Sequence, residues 1–380
     1  MQPADLATDG DARRPSVAGG DVRRMSVSGR MIAIGAVDIL RAQGWFIALA
    51  LGYLAIAYAL TRAYGQELRL GMYGRVQLAF FVNLAIACIL GRVARTLVRE
   101  RPGRPLRIVW ADLVGDFAIG RRIAVAVPAL ILLPLVLSAT TSVKAMIGRV
   151  APFAWDARLA DIDAILHGGV QPWQWLQPLL GQPQMTGWID GAYGPIWFWM
   201  LLVLQFWQTF SLDPGRTRFL IAFVLCWVVL GNGLAMAMAS AGPVYYSAAV
   251  AGPDPFALLR AYLASADGSS PLLAVAAQAH LWQIHASGEV TVVAGISAMP
   301  SLHIAMGSLL VLAVWRLGRI ARILSVAYLA VLLVGSVHLG WHYAIDGYVA
   351  ILGTAAIWWG IGRVQGWRRT DRWPARHPKA

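Results

Sequence analysis

The sequence predicts an all-α fold, a polytopic membrane bundle of about eight transmembrane helices, and three observations predict it. Of 380 residues, 58% are hydrophobic and only 13% charged, too little polar surface for a water-soluble chain of this length. Apolar runs of about 20 residues, bounded by Arg or Asp, recur along the chain, and that is the length that crosses a hydrocarbon core. The basic residues, 32 against 19 acidic for a net charge of +13, sit at the ends of those runs. That placement fixes membrane orientation and argues against a nucleic-acid partner.

Residues 1–41 read as a disordered basic cytoplasmic tail with a near repeat, Asp-x-Arg-Arg-x-Ser-Val, at 11–17 and 21–27. Eight candidate spans follow, at about 43–61, 74–92, 123–143, 191–212, 218–240, 300–316, 322–340 and 343–362. They divide into a unit of two N-terminal helices and a loop (42–118), a catalytic transmembrane domain (119–365) and a basic cytoplasmic tail (366–380). The loop at 92–122 carries eight arginines, and Arg216, Arg218, Arg316, Arg319 and Arg322 flank two further turns on the same side. The long loops at 144–190 and 241–299 lie opposite, with three basic residues in the first and only Arg260 in the second. The positive-inside rule then makes both termini cytoplasmic and turns the long loops outward, in a plasma (bacterial inner) membrane. The apolar stretch 271–284 is short for a span and fits an interfacial or re-entrant helix. Cys88 and Cys226 both lie inside apolar runs, which argues against a disulfide framework or thiolate metal site.

Three places put ionisable groups at membrane depth, where each is costly unless it has a partner or faces a water-filled cavity. Ser297 to His303 opens the sixth span; there Pro300 suits a first helical turn, Ser301 caps it and the exposed N–H groups favour an anion beside His303. Ser336 to Asp346 joins the last two spans, and His342 and Asp346, four apart, share a helical face if the helix includes both. Lys144, the only lysine before the terminal tail, and Arg149 close the third span as a cation pair suited to phosphate. The charge-derived topology puts all three places on one membrane face.

Pro300-Ser301-Leu302-His303 and His342-Tyr343-Ala344-Ile345-Asp346 resemble the paired Pro-Ser-x-His and His-x-x-x-Asp motifs of the type 2 phosphatidic acid phosphatase superfamily. Gly242-Pro243-Val244-Tyr245-Tyr246, and more weakly Lys144 and the stretch Pro152 to Gly169 with Asp156, Asp161 and Asp163, are similar to its branch related to inositol phosphorylceramide synthase. The resemblance covers roughly residues 120 to 365. It implies a six-helix phosphatase-type core with interfacial helices in the outer loops. It implies that His342 attacks phosphorus to give a phosphohistidine, Asp346 orients it and His303 protonates the leaving oxygen. Ser301, Lys144 and Arg149 would bind the phosphate, and Tyr245 and Tyr246 would line the substrate site. Two features depart from the family pattern: Lys144 is followed by Arg149 and Pro152 instead of Lys, six residues and Arg-Pro, and Ser336 stands where an Arg usually precedes the second motif by six.

The implied enzyme is a lipid phosphatase or phosphotransferase with a His nucleophile and neither metal nor organic cofactor. Its partners are the bilayer, a lipid phosphate or phospholipid substrate and an acceptor lipid alcohol. Transfer of a phospho-headgroup and plain hydrolysis of phosphatidate or a polyprenyl diphosphate differ only in which nucleophile resolves the intermediate. A proton-coupled lipid or solute transporter and a metal stripe of His338, His342 and Asp346 are the readings from other classes. His167 reads as a helix end bonding the last carbonyls, Asp190 as a span boundary, Trp197 to Trp199 as packing, and Asn83 and Asn232 as links between helices.

Overall fold

The computed structural model describes residues 36–100, 105–288, 291, 295–364 and 366. The Arg-Arg repeat of the N-terminal tail and nearly all of the basic C-terminal segment lie outside the described residues. Within them the regular structure is entirely helical. α1 (Ala36–Ala63) and α2 (Gly74–Glu100) form a pair joined by a connector at 64–73, and α3 (Pro105–Ala111) leads through a π turn into α4 (Ile119–Lys144). The first long loop folds into α5 (Asp156–Leu166), α6 (Pro172–Leu180) and α7 (Pro183–Gly191), and α7 runs through a π turn at Ala192–Ile196 into α8 (Trp197–Phe210). α9 (Arg216–Leu225) continues through a π segment, Cys226–Leu234, into α10 (Ala235–Ala237). The second long loop holds α11 (Tyr246–Ala249), α12 (Ala257–Ser269) and α13 (Leu273–Ser287), and the chain closes with α14 (Leu302–Val314), α15 (Arg319–His338) and α16 (Ala344–Val364).

Among the described residues, six helical stretches are long and apolar enough to cross a membrane: 41–63, 74–99, 119–144, 216–237, 319–338 and 344–364. The other two expected spans take different forms. The one expected at 191–212 is a rod running from α7 into α8, interrupted by the π turn. The one expected at 300–316 is α14, whose 13 residues rise only about 20 Å against a core of about 30 Å.

The order of packing follows from which helices carry a second apolar face. The 216–237 stretch is central, 61% of its most apolar window being buried, and Phe219, Leu220 and Phe223 are wholly enclosed. α2 is peripheral at 11%, and it turns Leu78, Val82, Ile86 and Leu90 outward, a face that lipid would cover. α1 packs on α4 and α9, while α14 packs on α15 and α16. Small residues allow the close approaches: a Cβ added at Gly353 would lie 2.8 Å from Leu230 Cδ2.

Polar groups inside the bundle are paired between helices. Asn232 accepts from the Tyr53 hydroxyl (2.7 Å) and donates to Thr140 O (3.0 Å), tying three helices together as expected. Asn83 instead donates to Ala79 O of its own helix, because its side chain is on α2's outer side and meets no neighbour. Arg216, expected only as an orientation charge, is buried and donates to Gln208 O and Thr209 O at the end of α8 and to Val125 O on α4, tying the two helices together.

Candidate active site

The segment from His342 to Asp346 is set by the start of α16. α15 ends at His338, Gly340 turns the chain with φ +72°, and helix resumes at Ala344. His342 therefore precedes the helix, and it meets Asp346 across the helix N-terminus, not along a helical face. Asp346 is the third residue of α16, and its Oδ2 reaches back to accept the Tyr343 N–H at 3.0 Å, half of a capping box. The same oxygen lies 3.4 Å from His342 Nδ1.

The nearer partner of His342 Nδ1 is the carbonyl of Ala298, at 2.7 Å. A carbonyl only accepts, so this bond assigns the ring proton to Nδ1 and leaves Nε2 as the lone-pair nitrogen. Nε2 has no hydrogen-bond partner among the described residues, and His342 lines the main cavity. Orientation of the imidazole thus rests first on Ala298 and second on Asp346. The Ala298 segment is in turn fixed by Ser240, whose carbonyl accepts the Ala298 N–H and whose hydroxyl accepts the Met299 N–H.

All three residues between His342 and Asp346 are fastened to α5. Asp163 accepts the N–H of Ala344 (2.6 Å) and of Ile345 (2.9 Å), capping α16. One turn pair earlier, Asp156 accepts the Tyr343 hydroxyl at 2.8 Å and the N–H groups of Ala241 and Gly242, both at 2.8 Å. Both carboxylates are buried, and burial raises that of Asp163 above the ordinary carboxylate range against the pull of its two amide donors. Gly242, in the Gly-Pro-Val-Tyr-Tyr stretch, has φ +99°, and a Cβ there would sit 2.8 Å from Trp341 O.

The first motif is built differently. Ser301 is the N-cap of α14, so Pro300 stands one residue before the cap instead of in the first turn. Its hydroxyl makes no capping bond, is fully buried, and faces the Tyr193 hydroxyl without a hydrogen bond of good geometry. His303 follows in the first turn of α14, and its ring is stacked between Tyr193 (centroids 4.3 Å apart, planes 9°) and Trp197 (4.0 Å, 29°). Trp197 also donates Nε1–H to His303 O at 3.2 Å.

His303, His342, Lys144 and Tyr245 line one cavity of about 440 Å3. Lys144, the last residue of α4, forms no hydrogen bond or ion pair with any described residue, so its ammonium is available to an anion. Tyr245 donates its hydroxyl to Gln278 O (2.8 Å) and stacks on Trp282; burial raises its pKa, so it stays protonated.

Asp346 stands behind His342 and does not line the cavity, and three further expected site residues are not brought to it. Arg149 is exposed and bonds Gln66 Oε1 at 3.3 Å, because the chain leaves α4 in a turn that carries it outward. Tyr246 turns away to pack on Phe256, and the Ser301 hydroxyl points into the protein. His338 stands apart too: its Nε2 bonds Thr186 Oγ1 at 2.9 Å, and the break at Leu339–Gly340 removes the single helical stripe it would share with His342. His167 ends α5 as expected, its Nδ1 2.6 Å from Asp163 O and its Nε2 3.0 Å from Tyr348 Oη.

Sequence reasoning missed several contributors. Asp190 lines the cavity and accepts the N–H groups of Leu273 and Ala274, capping α13. Trp197 and Tyr193 hold His303, and Tyr73 and Thr141 form part of the wall. Only the seven-residue spacing of Asp156 and Asp163, one face of one helix, was a usable signal.

Residues 157–360 match the family model described as PAP2 superfamily, which covers both histidine motifs and α5 from its second residue. No curated protein and no solved structure matches the chain.

Proposed function

The chain belongs to the PAP2 superfamily, whose members are phosphatase or phosphotransferase-type lipid enzymes, and on that premise we propose that it is a membrane lipid phosphotransferase acting through a phosphohistidine on His342. The observation that carries this reading is the hydrogen bond that commits the His342 Nδ1 proton to Ala298 O and leaves Nε2 free at the cavity. In the first step Nε2 attacks phosphorus, the N–P bond forms and the P–O bond to the leaving group breaks. The leaving alkoxide takes a proton from His303. In the second step an acceptor hydroxyl returns a proton to His303 as its oxygen attacks phosphorus and the N–P bond breaks. Asp346 supports the imidazolium that His342 becomes, and Lys144 offsets charge on the phosphoryl oxygens.

The acceptor in this reading is a lipid alcohol, as in inositol phosphorylceramide synthesis, and the cavity faces the outer surface of a plasma membrane with both termini cytoplasmic. Room for more than a phosphate favours transfer, since about 440 Å3 is in the range that encloses a whole headgroup. The test is incubation of the detergent-purified chain with phosphorus-labelled lipids, followed by quench in alkaline detergent and alkaline electrophoresis. Wild type is expected to carry acid-labile, base-stable label and to pass it to added diacylglycerol or ceramide. His342→Ala is expected to carry none, and His303→Ala to accumulate label. Label on His342→Ala equal to wild type would refute the mechanism, and release of free phosphate alone would make the enzyme a hydrolase.

A further inference from the structure

Lys144 and Asp190 bring one cation and one carboxylate to the same cavity, and they come from different elements, the end of α4 and the end of α7. They form no ion pair with each other. Among the described residues Asp190 is the one carboxylate that lines the cavity. It is 5% exposed, and its oxygens accept the Leu273 N–H at 2.6 Å and the Ala274 N–H at 3.0 Å. An ionised carboxylate accepts more than two hydrogen bonds, so these leave room for a further donor. Burial raises the Asp190 pKa and the two amide donors lower it; an opposite charge within reach would hold it ionised. Capping α13 needs only an acceptor oxygen, which Ser, Thr or Asn also supplies, so the cap does not account for a full charge on the cavity wall. Much of the remaining wall is aromatic, with Trp197, Phe198, Trp227, Tyr245 and Trp341 among its residues, and the faces of such rings attract cations.

We propose that the cavity takes a zwitterionic phospholipid headgroup, with its phosphate at Lys144 and its ammonium at Asp190, so that the group transferred is the phosphate ester of an amino alcohol. This rests on the phosphotransfer reading above. A bare phosphate would set a second anion against the carboxylate in a site of low dielectric, which is unfavourable. A polyol headgroup can donate to the carboxylate but brings no opposite charge, and an ammonium brings that charge. In the transfer His342 Nε2 forms the N–P bond and the P–O bond to the diacylglyceryl oxygen breaks. Diacylglycerol leaves with the proton from His303, and the amino alcohol stays on phosphorus. Asp190 is a specificity residue here, since it meets the headgroup and no reacting atom. The ammonium has two possible sources, the primary amine of an ethanolamine headgroup, which can donate N–H to Asp190, or the quaternary amine of a choline headgroup, which relies on charge and on the aromatic faces.

The test uses the full chain in nonionic detergent, wild type and Asp190→Asn, with retention of four lipids of matched acyl chains measured by native mass spectrometry. Phosphatidylethanolamine and phosphatidylcholine carry an ammonium, phosphatidylglycerol carries a polyol, and phosphatidate has neither. Wild type is expected to retain at least one of the ammonium lipids about tenfold better than phosphatidylglycerol or phosphatidate. In Asp190→Asn that preference is expected to fall to within about twofold, with phosphatidylglycerol retained no worse than by wild type. The better retained of the two ammonium lipids names the amine. Because the wild-type preference is read without any variant, the proposal does not hang on the folding of Asp190→Asn. Equal retention of all four lipids by wild type, a preference for phosphatidylglycerol or phosphatidate, or an undiminished ammonium preference in folded Asp190→Asn would overturn it. Turnover is measured on the same preparations: an ammonium preference with no turnover of any lipid by wild type would remove the phosphotransfer reading and leave the headgroup site standing, whereas turnover without that preference would do the reverse.

Discussion

The two histidines of the cavity are held by opposite means. His342 is aimed by hydrogen bonds, its own to Ala298 and those of Tyr343, Ala344 and Ile345 to the carboxylates of α5. His303 has no hydrogen bond on its ring among the described residues and is held by two aromatic faces. Stacking fixes the plane of a ring and lets it slide within that plane, whereas a bond along Nδ1 fixes the line on which Nε2 points. The difference suits the roles proposed for the two rings: a nucleophile attacks along one line, while a proton donor must follow an oxygen that moves away.

The contrast can be broken one residue at a time. Asp346→Ala removes the buried charge behind His342 and is expected to lower kcat about a thousandfold or more, measured as transfer of labelled phosphate with protein levels matched. Asp163→Asn keeps the shape of the side chain but replaces one amide acceptor with a donor. It is expected to lower kcat by about 10- to 100-fold with KM within threefold, since misplacement of about 1 Å is worth that much. It is also expected to cost about 1–2 kcal/mol of stability, seen as an earlier thermal transition. Trp197→Leu, which removes one of the two faces on His303, is expected to slow turnover about tenfold with the phosphohistidine still formed. Arg149→Gln is expected to change kcat/KM less than about twofold, because an exposed side chain far from the reacting atoms contributes little. A large loss there would return Arg149 to the phosphate site and weaken the assignment of Lys144.

The parts of this molecule that were legible in its sequence are the local ones. Apolar runs and arginine placement located the spans, because both are set by the membrane and not by neighbouring helices. His342 and Asp346 were legible as a pair since only three residues separate them, yet the α16 boundary between them was not, and Ala298 as the first partner of His342 came from 44 residues away. Asp156 and Asp163 stood out as acids in an outer loop, but their work is done on Tyr343, Ala344 and Ile345, more than 180 residues further along the chain. Arg149 shows the same limit: its type suited phosphate, and the turn after α4 that sets it beside Gln66 left no mark in the sequence. Tyr73 left no mark at all, because nothing in its neighbourhood along the chain bears on where the connector lands.

The π turn between α7 and α8 has a consequence for how this bundle tolerates change. A wide turn holds one residue more than an α turn, so it takes up that residue with little change in the phase of the helix after it. Tyr193 lies within the turn and Trp197 immediately after it, and they meet His303 from two sides. Deleting one residue from 192–196 would restore ordinary winding and leave α8 nearly in phase with α7, whereas deleting one residue from the regular helix of α7 would rotate everything after it by about 100°, the angle per residue of an α-helix. In both cases the helix would stay whole and apolar, but only the second would carry the indole away from the imidazole. Along this rod the place of a single-codon deletion therefore works as a dial on the active site, separating the chemistry from the integrity of the helix.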